Sequence, residues 1–112
     1  MARQFSEKVI LVLASVADGD RHGYAISKDV ARRTGGGVRL GSATLYRLLG
    51  QLLEDGLVEE SDRRPAPELD DERRRYYRIT PTGRRALAAE LRRLDRVLAA
   101  ARLGRRSASQ RA

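Results

Sequence analysis

Residues 41–60 read GSATLYRLLGQLLEDGLVEE and residues 73–83 read RRRYYRITPTG, and these two stretches decide the fold. Within the first, four leucines recur at the spacing of one helix face. They are Leu45, Leu48, Leu49 and Leu52. We predict a helix over residues 42–55 that stops at Gly56, then a strand over residues 57–62 and a return strand over residues 73–80. Helix, strand, loop and strand in this order predict a winged helix-turn-helix, which presents one helix to the major groove of DNA.

Two more helices are predicted before this unit. Ser6 can cap a helix that continues to Ala17. A second helix fits about residues 23–34 and ends at the glycine run of residues 35–37, because glycine adopts the left-handed conformation at little cost. The long stretch of 42–55 is therefore the third helix of the chain.

A long helix is predicted to follow the return strand. Thr80 followed by Pro81 is a start signal, because the hydroxyl caps a helix and proline suits its first position. The chain then divides into a winged helix-turn-helix DNA-binding domain (residues 1–80), a C-terminal dimerisation helix (81–103) and a basic, disordered tail (104–112). The predicted fold class is mainly α with a small β-wing (α+β).

The first and last helices carry more apolar surface than one small domain can easily cover. Apolar residues lie on almost every face of the first helix, and those of the last alternate spacings of four and three, as in a short coiled-coil seam. The predicted dimer-interface residues are Val9, Leu13, Leu87, Leu91, Leu94, Leu98 and Ala101. We expect a homodimer, although the seam could instead pack on its own domain.

The composition suits a polyanionic partner and excludes several classes of protein. The net charge is +8 over 112 residues, and residues 73–112 hold thirteen basic and two acidic side chains. Arginine supplies 21 of the 23 basic residues, which favours bidentate contacts or reflects a GC-rich genome. The absence of cysteine excludes disulfides and thiolate metal sites. The apolar runs are too short for a membrane span and a signal-peptide pattern is missing, so we expect a cytoplasmic location without membrane contact.

Several motifs resemble those of one known family. They are His22-Gly23-Tyr24-Ala25-Ile26, Thr34-Gly35-Gly36, Thr44-Leu45-Tyr46, Leu52 before Glu54-Asp55-Gly56-Leu57-Val58, and Arg75-Tyr76-Tyr77-Arg78-Ile79-Thr80 with Gly83. In this order and spacing they resemble the PadR family of winged-helix transcriptional regulators, over about residues 8–103. The length resembles the short branch of the family, with a single C-terminal helix. The resemblance implies a homodimeric repressor whose subunits join through the last helix and the first.

The chain departs from the family pattern in two places. The family often has glycine where Ala43 stands, and proline or a small residue where Arg47 stands, so Arg47 could read a base or phosphate of its own. Some short members use an aromatic residue of the last helix to sandwich flat drugs between subunits, where this helix has Val97 and Leu98. We therefore do not expect a drug sandwich of that kind, and we leave open whether a small hydrophobic effector binds at the dimer interface.

We expect the third helix and its neighbours to contact double-stranded DNA. Arg47 and Gln51 would face base edges, since arginine suits guanine and glutamine suits adenine. Further residues would hold the DNA backbone. These are Tyr24, Lys28, Ser42, Thr44 and Tyr46 on the helices and Arg63, Arg73 and Arg74 in the wing. The dimer would set two such helices roughly 34 Å apart on a two-fold symmetric operator.

Other interpretations remain open for single residues and for the function. His22 is the only histidine, which favours capping or packing over a metal or catalytic role. The acidic residues between 68 and 72 could bind a cation, although a solvated loop is simpler. Gly50 either permits a close approach or is merely tolerated. The favoured function is a sequence-specific repressor, and the alternative is a winged helix used only for protein–protein contact. We expect no enzyme and no cofactor, because acid–base pairs, thiols and phosphate loops are missing.

Overall fold

The computed structural model describes the backbone of residues 4–61 and 75–111 and the side chains as far as Leu103. Over these residues the elements are α1 (Glu7–Ala17), β1 (Arg21–His22), α2 (Gly23–Arg33), α3 (Ser42–Glu54), β2 (Val58–Glu60), β3 (Tyr76–Ile79) and α4 (Pro81–Arg111). Three helices, a small antiparallel sheet and a long C-terminal helix confirm the predicted fold class, a winged helix-turn-helix. The division of the chain into domains stays a prediction.

Two predicted caps set the starts of α1 and α4. The Ser6 hydroxyl oxygen accepts a hydrogen bond from the Val9 N–H at 3.2 Å. The Thr80 hydroxyl accepts from the Gly83 N–H at 2.9 Å and donates to the Gly56 carbonyl at 2.7 Å. Thr80 therefore starts α4 and also ties it to the turn after α3.

The first turn of α4 lies against the strand that follows α3. A Cβ atom at Gly83 would come within 2.1 Å of the Leu57 carbonyl oxygen, so only glycine allows this approach. α4 then continues to Arg111, beyond the end near Leu103 that the sequence predicted. The physical reason is that Gly104 alone costs a helix only about 1 kcal/mol, and no proline follows it.

The sheet has β3 in its centre and the order β1-β3-β2, with both pairs antiparallel. Tyr77 and Ile79 are each 6 % exposed, whereas Tyr76 and Arg78 on the other side are half-buried. This alternation confirms the predicted sides of the return strand. β1, which pairs Arg21 with Tyr77, was not predicted, because two residues are too few to show a period.

Two residues predicted at the dimer interface belong to the chain's own core instead. Leu13 is 0 % exposed and Leu87 is 8 % exposed, and both pack among the buried side chains of the helices and sheet. The prediction was wrong for these two because an apolar pattern shows that a side chain needs cover without showing what covers it. Val9, also predicted at the interface, is partly buried against the same core.

Candidate nucleic-acid interface

α3 has one buried face and one exposed face. Its core leucines are between 1 % and 6 % exposed, which confirms the predicted stripe. They are Leu45, Leu48, Leu49 and Leu52. The opposite side presents Tyr46, Arg47 and Gln51 to solvent. α3 is thus held firmly by the domain while its polar face stays available to a partner.

The start of α3 is open to an anion. Gly41 is the N-cap residue and forms no side-chain capping bond, and the Leu45 N–H donates to the Gly41 carbonyl at 2.9 Å. The N–H groups of Ser42, Ala43 and Thr44 lie in the first turn, where a helix offers no partner. Such groups, together with the helix dipole, suit a phosphate. Ser42 follows this N-cap residue and is exposed, and its predicted phosphate contact stays a prediction.

Tyr46 links α3 to the start of α2. A Cβ atom at Gly23 would lie 2.6 Å from the Tyr46 hydroxyl oxygen and 3.0 Å from its Cζ. Gly23 therefore makes room for the phenol ring, which remains 41 % exposed. The phenol, predicted to contact phosphate, thus lies where α2 begins.

His22 caps α2 and carries an aromatic neighbour. Its Nδ1 accepts a hydrogen bond from the Ala25 N–H at 3.2 Å, which confirms the capping role favoured from the sequence. The His22 ring stacks on Tyr24, with 6.4 Å between centroids and 5° between planes. Lys28 Nζ lies 5.2 Å from the Tyr24 ring centroid, a cation–π distance. Tyr24 is 68 % exposed and Lys28 is exposed as well, so α2 offers both to a partner.

A buried ion-pair cluster holds α2 against α1 and β1. Asp29 is 4 % exposed and accepts hydrogen bonds from Arg33 Nε at 2.7 Å and from Arg32, while Arg21 Nε lies 3.9 Å away. Burial alone would raise the pKa of Asp29, but the hydrogen bonds from both arginines hold it well below its usual range. Arg33 also pairs with Asp18 at the end of α1. Sequence analysis missed this cluster, which fixes the orientation of α2.

The described part of the wing pairs its charges across the strands. Arg78 Nε lies 2.9 Å from Glu59 Oε1, and an Arg75 guanidinium nitrogen lies 3.1 Å from Glu60 Oε1. These carboxylates offset the basic charge of the return strand. The predicted wing contacts of Arg63, Arg73 and Arg74 lie outside the described residues and stay predictions.

Arg47 and Gln51 are brought together beside α1. Both line a cleft of about 320 Å³ between α3 and the start of α1, where Lys8 and Asp55 also lie. Phe5 contributes to the same cleft. The two predicted base readers therefore share one flank of α3, within reach of a second basic side chain.

From Leu91 onward, the predicted dimer seam along α4 is only partly covered by the chain itself. Leu91 and Leu98 are 44 % and 48 % exposed, Leu94 is half-buried and Ala101 is exposed. Val97 adds a further apolar side chain at 50 % exposure.

Within the described ranges, none of the helices combines the length and apolarity of a membrane span.

The chain belongs to the transcriptional regulator PadR-like family, which it matches over residues 12–89. This match covers both helices of the helix-turn-helix, the sheet and the start of α4. The family resemblance read from the motifs is therefore confirmed.

Known proteins agree with this assignment. The chain is 36 % identical over 84 residues to the transcriptional regulator Rv3488 of Mycobacterium tuberculosis, covering 75 % of this chain and 72 % of that protein. A PadR family transcription regulator of Clostridium difficile R20291 superposes with a TM-score of 0.70 at 20 % identity, covering 85 % and 94 % of the two chains. Bacillus subtilis PadR in complex with operator DNA gives a TM-score of 0.62 at 19 % identity, covering 74 % and 45 %. At these identities the structural likeness concerns the fold.

Proposed function

We propose that the chain is a sequence-specific DNA-binding transcriptional repressor that acts as a homodimer on a two-fold symmetric operator. The observation that carries the proposal is the two-faced α3. Its leucine stripe is buried and its N-terminus and polar face are exposed, and Tyr24 and Lys28 of α2 are exposed as well. Membership of a family of transcriptional regulators, and the operator complex of a protein with the same fold, support DNA as the partner.

The contacts divide into two kinds. The first turn of α3, with Ser42 and Thr44, and the exposed Tyr46 and Lys28 would hold phosphates and set the position of the domain. Arg47 and Gln51 would then reach base edges in the major groove, where their bidentate hydrogen bonds distinguish guanine and adenine. Because Gly23 and the Asp29 cluster fix α2 against its neighbours, these groups are already oriented before DNA arrives.

The dimer is proposed from the apolar surface of α4. Leu91, Val97 and Leu98 are about half exposed on a helix that runs beyond the winged domain, and a second copy of the helix would cover them. Two copies would place the α3 helices roughly one DNA turn, about 34 Å, apart. A small hydrophobic effector between the subunits stays a prediction.

Selection of binding sites from random DNA duplexes tests the whole proposal. We expect enrichment of an inverted repeat with half-sites one helical turn apart, and tight, salt-dependent binding to it. Enrichment of a single unrepeated site would contradict the dimer. If no sequence is enriched and duplex binding is weak at every salt concentration, the winged helix serves protein–protein contact instead.

A further inference from the structure

A second cleft lies on α4, away from α3. Its volume is about 270 Å³, and it lies between α4 and the segment that precedes α1. The floor is apolar and is formed by Phe5, Leu57, Ala86 and Ala89. The rim carries three arginines, Arg92, Arg93 and Arg96. An apolar floor under a basic rim is the arrangement expected for an amphipathic anion.

A buried carboxylate fixes the geometry of this cleft. Glu90 is 3 % exposed and accepts hydrogen bonds from Arg93 Nε at 2.5 Å and from the Phe5 backbone N–H at 2.7 Å. The bond from Arg93, and then the one from Phe5, lower the pKa of Glu90, so the group stays ionised. Glu90 therefore neutralises Arg93 and ties the chain before α1 to the wall of the cleft.

The other two arginines leave positive charge at the rim. Arg92 and Arg96 are exposed and four residues apart, so they lie one helical turn apart on the same side of α4. Among the residues whose side chains are described, neither forms an ion pair. Guanidinium groups bind carboxylates through two parallel hydrogen bonds, which suits an anionic head group placed between them.

We propose that this cleft binds a small amphipathic carboxylate, with its apolar chain on the floor and its head group on Arg92 and Arg96. A cavity of about 150 Å³ holds benzene, so the 270 Å³ of this cleft accommodates a ligand of roughly ten heavy atoms. A neutral head group would leave the two arginines without a counter-ion, and a cationic head group would be repelled by them.

The α4 side of the cleft lies away from the proposed leucine seam. At about 100° per residue, Arg92 and Arg96 lie roughly 100–160° around α4 from Leu91 and Leu98. A partner helix that covers the leucines therefore leaves the arginines open. Phe5 lines both this cleft and the first cleft, which Arg47 borders. A ligand that contacts Phe5 in the second cleft therefore lies next to the wall of the first, which α3 forms. The site is thus placed to alter operator affinity, a consequence that rests on the proposed function.

Calorimetric titration of the full chain tests the site, with octanoate as the probe and octanamide as its uncharged match. We expect saturable octanoate binding at one site per chain and binding of octanamide weaker by about tenfold or more. Arg92→Gln with Arg96→Gln should weaken octanoate by about tenfold, because both head-group partners are lost. Ala89→Phe should abolish binding by filling the floor. Circular dichroism of each variant should match that of the wild type, which checks that the variant is folded. Arg85→Gln with Arg102→Gln removes the same charge elsewhere on α4 and should leave binding unchanged.

Equal affinity for octanoate and octanamide would overturn the proposal, as would unchanged octanoate binding in the two cleft variants. Recovery of the chain on phosphatidylglycerol vesicles without octanoate binding would overturn it in favour of a lipid surface. Fluorescence anisotropy with labelled operator and saturating octanoate then tests regulation. Octanoate binding that leaves operator affinity unchanged removes the regulatory role, whereas a chain that binds no duplex refutes the proposed function and leaves the titration of the cleft valid.

Discussion

α3 and α4 are both amphipathic helices with a leucine stripe, but only α3 is covered by its own domain. The least buried core leucine of α3, Leu48, is 6 % exposed, whereas Leu91 and Leu98 of α4 are 44 % and 48 % exposed. The cause is length, because α4 has 31 residues and therefore measures about 46 Å. A leucine stripe within the domain stabilises the fold, and a stripe that projects from it can stabilise only an assembly.

The largest expected effect is on the free energy of unfolding, when a leucine of the buried stripe of α3 is replaced. Leu49 is 1 % exposed, and Leu49→Ala should lower the free energy of unfolding by about 2–5 kcal/mol, since it removes buried surface and leaves a cavity. Urea denaturation followed by circular dichroism measures this change. The matched variant Leu98→Ala should instead make the unfolding midpoint depend less strongly on protein concentration, because it weakens association. A change under about 1 kcal/mol for Leu49→Ala would contradict the burial of α3.

Charges in the projecting stripe should separate the subunits. Leu91→Asp with Leu98→Asp would bury two carboxylates in the proposed seam, where they lack partners. We expect sedimentation to show a fall from twice 12.5 kDa to 12.5 kDa. Operator affinity should drop by about a hundredfold or more, equivalent to ~2.7 kcal/mol, because one half-site offers too few contacts.

Ala100→Asp is the control for this seam, because it adds a carboxylate to the exposed opposite side of the same helix. It should leave both the mass and the operator affinity unchanged. A doubly substituted protein that remains a dimer would show that α4 pairs through another surface. A wild-type monomer that binds its operator tightly would refute the two-fold arrangement.

The contrast between the two helices also explains which parts of the fold the sequence could predict. The caps at Ser6 and Thr80 and the leucine stripe of α3 follow from local signals, namely residue type and spacing over a few positions. Which surface buries an apolar stripe depends on where the other helices and strands lie. For this reason Leu13 and Leu87 were assigned to a partner although the chain's own core buries them.

Parts of the candidate site depended on contacts distant in sequence. β1 exists only because Arg21 and His22 meet β3, more than fifty residues later in the chain. The Asp29 cluster joins three elements, and its one sequence signal was a carboxylate three residues after Ile26 and next to Val30, on the buried side of α2. By contrast, the exposed Arg47 was identified because a polar residue opposite an apolar stripe is a local pattern.

On α3, replacing the exposed arginine should affect recognition and leave stability unchanged. Arg47→Ala should weaken binding to the selected operator by about 1–3 kcal/mol and leave binding to random duplex nearly unchanged, because a base contact is lost. Anisotropy titrations with the two duplexes measure the difference. Arg85→Ala removes the same charge from an exposed position of α4 away from the leucine stripe and should change neither value. If both duplexes lose affinity equally, Arg47 binds a phosphate and does not read a base.

The smallest expected effect decides how closely DNA approaches α3. Gly50 is exposed, and a Cβ atom there would meet nothing within 4 Å, so Gly50→Ala should raise the free energy of unfolding by about 0.5–1 kcal/mol. On the face proposed to enter the groove, the same methyl group should lower operator affinity by about threefold, or ~0.7 kcal/mol. Stability and affinity would then change in opposite directions, which a general loss of folding cannot produce. A more stable variant with full operator affinity would show that the glycine is merely tolerated and that DNA contacts the flank of α3 at Arg47 and Gln51.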